Sequence, residues 1–352
     1  MGETTISWTH TTTADGTAVP GYTFNGWIGC QKVSPACDGC YAEALMDKRY
    51  GRVQWGAPGA GNGTRVRTSE ANWKKPLTWN RKAEKDGTRP FVFCSSLADV
   101  FDNQVPTAWR TDLFELIRRT PNLIWLLLTK RPQNILRLYG AAFDLPWPRN
   151  AAIGTTIEDQ KRADINVPAL LKAKGVLNPA FAFLSCEPLL GPIDLDKDGA
   201  YNEDSGASFL RPWGRNDWFS PGLDWVITGG ETDQGDHKAR PSDPAWFRSL
   251  RDQCAAAGIA YHHKQNGEWV SNEQMGGGWE YTRTKDGVRY GVLSEGGFES
   301  RLFGGRDFPT EYPWNTEGPG GWGPGACMVK VGKNNSGRLL DGREHNAFPA
   351  VA

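Results

Sequence analysis

The sequence predicts an α/β protein, a partial (β/α)6-type TIM-like barrel followed by a loop-rich C-terminal extension. Three observations carry this. Between about residue 88 and residue 270, short apolar runs alternate with helix-like stretches, the order of a parallel sheet whose strands are joined by helices. The runs are continuously apolar, which suits strands covered on both faces. Polar residues gather directly after each run, and in a barrel of βα units the C-terminal strand ends converge on one face to build a site.

The first strand is Pro90-Phe91-Val92-Phe93-Cys94, followed by Ser95, Ser96 and Asp99. Leu123-Ile124-Trp125-Leu126-Leu127-Leu128 is the second, followed by Thr129-Lys130-Arg131-Pro132, and Ala151-Ala152-Ile153-Gly154 the third, followed by Thr155, Thr156 and Glu158. Ala180-Phe181-Ala182-Phe183-Leu184 leads into Ser185-Cys186-Glu187-Pro188, and Asp224-Trp225-Val226-Ile227-Thr228 into Gly229-Gly230-Glu231. A helix from Pro244 to Ala257, terminated by Gly258, precedes the sixth strand, Ile259-Ala260-Tyr261-His262-His263, which ends in Lys264-Gln265. Glu187, Glu231 and Lys264 are the candidate catalytic groups. The Gly229-Gly230 pair reads as a turn that lets backbone approach a ligand, with Glu231 facing substrate. His262 and His263 must point to opposite faces of their strand, and His237 and His345 read as surface residues.

Residues 1–270 form the barrel, with 41–88 as an inserted segment and 195–222 as an irregular excursion. Residues 271–352, punctuated by Gly276-Gly277-Gly278 and Gly318-Pro319-Gly320-Gly321, hold too little apolar sequence for their own core and read as an extension over the barrel mouth. At 352 residues, with Lys+Arg and Asp+Glu both 40, bulk charge steers the chain toward neither nucleic acid nor membrane. The N-terminus lacks a signal-peptide pattern and no apolar run reaches membrane-spanning length, so the expectation is a cytoplasmic protein.

Seven cysteines are present, and three of them, Cys30, Cys37 and Cys40, fall in one short run without a fourth nearby. A structural zinc site is closed by four ligands, whereas a [4Fe–4S] cluster held by three thiolates leaves one iron open to a small molecule. The competing reading is a zinc-stabilised, non-catalytic binding protein with His10 as the fourth ligand. Cys94, Cys186, Cys254 and Cys327 read as small buried apolar residues.

The triplet, with Tyr41 beside its last cysteine and βα units after it, resembles the radical S-adenosylmethionine enzymes. Its first gap holds six residues where those enzymes mostly place three; with Ser34-Pro35 inside it, the gap resembles a phage and bacterial family of phage proteins with a three-cysteine motif. Ser96-Leu97-Ala98-Asp99-Val100-Phe101, Leu128-Thr129-Lys130-Arg131-Pro132, Ser185-Cys186-Glu187-Pro188, Gly229-Gly230-Glu231 and Leu339-Leu340-Asp341-Gly342-Arg343 resemble that family too. The resemblance implies a [4Fe–4S] cluster on the three cysteines and S-adenosylmethionine on its open iron. It also implies an electron donor such as flavodoxin or ferredoxin, and a phage-encoded chain working in its host's cytoplasm. Tyr41, Ser95, Ser96, Asp99, Lys130, Thr155 and Glu158 are then the candidate cofactor contacts, with Arg131 beside Lys130.

Sixteen tryptophans are spread through the chain, and the default reading is packing. Arg65, Arg67, Lys74 and Lys75, interleaved with Trp73 and Trp79, form the dense basic segment, a pattern able to contact phosphates and stack on bases. With the phage resemblance this suggests isomerase- or lyase-type chemistry on a modified, thymine-derived base in DNA, extruded into the pocket. A peptide or small-molecule substrate is the alternative.

Overall fold

The computed structural model describes residues 2–13, 15–57, 61–196, 208–210, 222–271, 274, 288–294, 297–303 and 327–350. Seven parallel strands form one curled sheet, a half-barrel. They are β1 (Tyr22–Thr23), β2 (Phe91–Cys94), β3 (Ile124–Thr129), β4 (Ala151–Thr156), β5 (Ala182–Cys186), β6 (Trp225–Gly229) and β7 (Ala260–Gln265). Their spatial order is their chain order, so each crossover moves one place in the same direction and right-handed connections put every helix on one face. The helices are α1 (Lys75–Asp86), α2 (Thr107–Arg118), α3 (Ile135–Ala142), α4 (Gln160–Leu177) and α5 (Pro244–Ala257).

All six strands expected from the apolar runs are present. The seventh, β1, is two residues long and follows no apolar run; it joins the sheet through Tyr22 opposite Val92. The connection from β5 to β6 contains no helix among its described residues, and most of the 195–222 excursion lies outside them.

Strand alternation sorts the side chains into two layers. Val92, Leu127, Ile153, Leu184 and Val226 pack against helix residues such as Phe114, Leu170 and Leu250. Phe91, Ile124, Leu126, Phe183, Trp225 and Ile227 fill the concave side, together with Trp8 from the N-terminal segment. A side chain at Gly154 would meet the Phe183 ring at 2.4 Å, so glycine there admits the ring. Each fully buried aromatic of this layer contributes about 1.5–3 kcal/mol. Local signals set the helix ends: Asp159 caps α4 by accepting from Arg162 N at 2.8 Å, Asp243 caps α5, and Gly258 ends α5 at φ +70°.

The C-terminal extension departs from the loop-rich expectation. Trp269–Ser271, Cys327–Lys330, Val288–Ser294 and Gly297–Phe303 form a four-stranded antiparallel sheet in that order. Residues 336–348 run along β7 rather than over the mouth. Asn266 Nδ2 donates to Ser336 O at 2.8 Å, His263 N to His345 O at 2.9 Å and Ala347 N to Tyr261 O at 3.2 Å. This segment pairs the backbone that the last strand of a half-barrel leaves open. Phe348 then turns onto Trp225 under the concave layer. Among the described residues no helix is long and apolar enough to cross a membrane.

Candidate metal centre

Trp27–Ile28 pairs antiparallel with Val66–Arg67, which brings the chain across the C-terminal end of the sheet. Gly29 follows at φ +102°, and a β-carbon there would meet Thr64 O at 2.2 Å, so only glycine makes this approach. Gly29 N donates to Leu97 O at 3.1 Å and delivers Cys30 to the strand ends. A single 3-10 turn, Pro35–Cys37, and the helical segment that begins at Tyr41 place Cys37 and Cys40. All three cysteines line one cavity of about 130 Å³ with Phe93, Ser95, Ser96, Asp99, Leu128, Lys130, Arg131 and Thr156. These come from the ends of β2, β3 and β4.

Three arginines hold the loop between Cys30 and Cys37 by its alternate carbonyls. Arg131 Nη2 donates to Gln31 O at 2.8 Å, Arg162 Nη2 to Val33 O at 3.1 Å, and Arg240 Nη2 to Pro35 O at 3.0 Å. Each arginine is oriented by an acid. Arg131 Nη1 donates to Asp99 Oδ2 at 2.8 Å; Arg162 Nε lies 3.7 Å from Glu158 Oε1; Arg240 grips both oxygens of Glu231, at 2.6 and 2.9 Å. Among the described residues the loop pairs with other backbone only through Gly56, which accepts from Lys32 N and donates to Cys30 O, both at 3.0 Å, so these charge-assisted bonds do much of the fixing.

Several of the residues singled out in the sequence lie here. Ser95, Ser96, Asp99 and Lys130 reach the cavity. Burial works against the Lys130 ammonium, but the facing sulfurs of Cys37 and Cys40 together with Asp99 outweigh it and hold its pKa above the usual lysine value. Asp99 lines the cavity with both oxygens committed: Oδ1 accepts from Thr129 Oγ1 and Phe101 N, and Oδ2 from Lys130 N and Arg131. It positions its neighbours rather than offering a free carboxylate to a ligand.

Other expectations change. Thr155 is fully buried on the helix-facing side of β4 and donates to Thr129 O at 2.9 Å, away from the cavity. Tyr41 is 51% exposed and faces a neighbouring groove. Glu158, 1% exposed, supports the loop from below by accepting from Ala36 N at 3.3 Å. Glu231 does not face an open site, since Arg240 and His237 engage it. The Gly229-Gly230 turn approaches backbone, not a ligand, because a side chain at Gly230 would meet Asn266 O at 2.0 Å. Lys264 and Glu187 form an ion pair at 2.5 Å across the strand ends, where bare Gly229 leaves room for the carboxylate.

The basic segment is largely committed to the fold. Arg65 Nε donates to Asp102 Oδ2 at 2.7 Å, with side chains 4% and 0% exposed. Arg67 pairs with Asp112 at 2.8 Å and stacks on Trp73 at 4.0 Å, while Trp79 stacks on Tyr22. Lys74 and Lys75 are exposed. The reason is local: Arg67 lies on the short strand beside the cysteine loop, and the tryptophans face the barrel wall. Cys94, Cys186 and Cys254 are buried as expected; the side chain of Cys327 lies outside the described residues.

Three site residues escaped sequence reasoning, Arg162 and two others. His237, expected at the surface, is half-buried with Nε2 3.1 Å from Glu231 Oε1, and both atoms crowd Gly39. Arg240 sits in an unpatterned stretch, and only the acid nine residues before it hints at a pairing.

The chemistry of the donors suits an iron–sulfur cluster. Burial pushes the Cys30 thiol up to about 12, against the opposing pull of Arg131, and burial also raises Cys40. A metal held here would displace those protons, and the Lys130 ammonium in the cavity lining would offset the resulting negative charge. Among the described residues neither a fourth thiol nor an imidazole lines the cavity, and His10 is held elsewhere, its Nε2 2.5 Å from Thr4 O. Among the described residues, no three histidine, cysteine or carboxylate side chains form a ready site for a single metal ion.

The family described as "Protein of unknown function (DUF5131)" matches residues 3–349. The chain belongs to the DUF5131 family. No curated protein and no solved structure matches it. In this DUF5131 chain the match runs from the N-terminal segment under the half-barrel to Phe348 and so takes in the cysteine loop, all seven strands and the segment along β7.

Proposed function

We propose that the chain is a radical S-adenosylmethionine enzyme, with Cys30, Cys37 and Cys40 holding a [4Fe–4S] cluster at the mouth of a partial (β/α)6-type barrel. One observation carries the reading: three thiols share a cavity with the C-terminal ends of three consecutive parallel strands, and among the described residues the lining offers no further thiol, imidazole or uncommitted carboxylate. With S-adenosylmethionine on the open iron and one electron from a donor such as flavodoxin or ferredoxin, the cluster would supply a 5′-deoxyadenosyl radical able to take hydrogen from an unactivated carbon.

The chain's own residues do the rest. Arg131 fixes Cys30 by donating to its sulfur at 3.4 Å, and Lys130 presents an ammonium inside the cavity for a carboxylate. The apolar concave layer excludes water below the strand ends. Lys264 donates from Nζ to Glu187 Oε2 at 2.5 Å at the ends of the later strands.

We propose a thymine-derived base of phage DNA as substrate and isomerase- or lyase-type chemistry, on the strength of the family resemblance. The commitment of Arg65 to Asp102 and of Arg67 to Asp112 favours the second reading, a small-molecule substrate.

Anaerobic reconstitution with iron and sulfide tests the proposal. Uptake of about four irons per chain, with reductive cleavage of S-adenosylmethionine to 5′-deoxyadenosine and methionine, is the expected result. Tight binding of about one zinc per chain with no iron uptake would refute it and favour a zinc-stabilised binding protein.

A further inference from the structure

A groove of about 680 Å³ lies beside the cysteine cavity, which itself measures about 130 Å³. Sites for small organic molecules usually span about 300–1,000 Å³. The groove has room for a substrate and the cavity alone does not. The helical segment after Cys40 divides them. Cys40 and Ala42 line the cavity, whereas Tyr41 and Leu45, one helical turn apart, line the groove. Ser96 lines both, so the two spaces meet there.

The groove has a definite chemistry. Its walls mix Ile28, Leu45, Val66 and Leu97 with neutral hydroxyl and amide side chains; among the described residues its charged lining is Arg52 and Arg67, with no acid. Arg67 is neutralised by Asp112 at 2.8 Å. Arg52 is exposed and makes no ion pair among the described residues; its guanidinium packs over the Tyr50 ring at 5.5 Å. Tyr41, 51% exposed, has no side-chain hydrogen bond among the described residues. Apolar walls, an exposed phenol and an unpaired guanidinium recognise a flat body carrying an anion. The sulfonium and ammonium of S-adenosylmethionine would instead meet like charge and find no acid to pair with.

We propose that this groove docks a planar anion with the size and chemistry of a nucleoside monophosphate, its ring beside Tyr41 between the apolar walls and its phosphate on Arg52. As a substrate site the groove rests on the cluster reading above, with Ser96 as the residue the groove and the thiol cavity share. Binding itself does not depend on a cluster.

Equilibrium dialysis of the full chain against thymidine 5′-monophosphate tests this, with thymidine and inorganic phosphate as separate arms and S-adenosylmethionine as competitor. The expected result is saturable binding of the monophosphate, tighter than either fragment and not displaced by S-adenosylmethionine. Arg52→Gln should weaken it by about tenfold or more, the loss of one charge-assisted contact, without changing thermal unfolding. Absence of binding, equal binding of thymidine, indifference to Arg52→Gln or displacement by S-adenosylmethionine would each overturn the proposal. Iron uptake is scored on the same preparation. Uptake without nucleotide binding refutes the groove and leaves the cluster reading standing, and nucleotide binding without uptake does the reverse.

Discussion

Cys30 Sγ accepts a hydrogen bond from Arg131 Nη1 at 3.4 Å, although the two residues stand 101 positions apart. The same nitrogen is 2.8 Å from Asp99 Oδ2. The first thiol of the triplet is thus registered against the ends of β2 and β3 by a buried ion pair, and the loop that carries it is an extension of the barrel.

Replacing Arg131 should therefore cost stability as well as metal. Arg131→Leu leaves Asp99 buried without its partner, a change worth about 3–5 kcal/mol. Arg240→Ala breaks a pair whose arginine side chain is 34% exposed, so after screening the loss should be about 1 kcal/mol. Urea unfolding of the purified variants measures both. Equal midpoints for Arg131→Leu and the parent would mean that the pair does not anchor the loop.

The thiols should separate into two classes by metal content. Cys30→Ala, Cys37→Ala and Cys40→Ala should each abolish stable iron retention after reconstitution. Cys94→Ala should retain it, because Cys94 is fully buried in the layer between sheet and helices. Iron and sulfide assays on desalted protein read this out, and loss of iron from Cys94→Ala would shift the site away from the loop.

Arg65 is predicted to matter for folding rather than for nucleic acid. Its pair with Asp102 is almost wholly buried, so Arg65→Gln should destabilise the chain by about 3–5 kcal/mol. Lys74→Gln, at an exposed position, should change stability by less than about 0.5 kcal/mol. Chemical denaturation distinguishes the two, and a silent Arg65→Gln would restore the basic segment as a surface.

Stability should fall in mild acid. Burial, aided by the positive charge of Arg338, pushes His262 down to about 3, and burial pushes His263 down to about 4. An unfolded histidine titrates near 6.5, so below that value the unfolded chain binds protons that the folded chain refuses. Each histidine then removes roughly 1 kcal/mol per pH unit as pH falls from about 6.5 toward 4. Unfolding midpoints at pH 7 and pH 5 should differ accordingly, and His262→Leu should flatten the difference. A pH-independent midpoint across that range would mean that both rings are protonated in the native state.

The apolar runs identified six of the seven strands because a strand covered on both faces must be continuously apolar. Tyr22–Thr23 escaped because an edge strand of two residues writes no such run. The cysteines are close in sequence and share one cavity, and strand alternation explains which polar neighbours join them. Ser95 and Lys130 fall on the concave side, whereas Thr155, adjacent to Thr156, turns to the helices. Arg162 and Arg240, which tie Val33 and Pro35, were not legible, and the tie of Arg131 to Gln31 was not either, because the partners are backbone carbonyls, which leave no mark in sequence. The basic segment misled for a related reason: local composition shows Arg65 and Arg67 but not the distant Asp102 and Asp112 that neutralise them.

The most direct test of the open-iron centre is the electron paramagnetic resonance spectrum of anaerobically reconstituted, reduced protein, recorded with and without S-adenosylmethionine. The account predicts a [4Fe–4S]⁺ signal that shifts when S-adenosylmethionine is added and is absent from Cys37→Ala. A signal indifferent to S-adenosylmethionine, or a wild-type preparation that refuses a cluster and holds zinc, would contradict it.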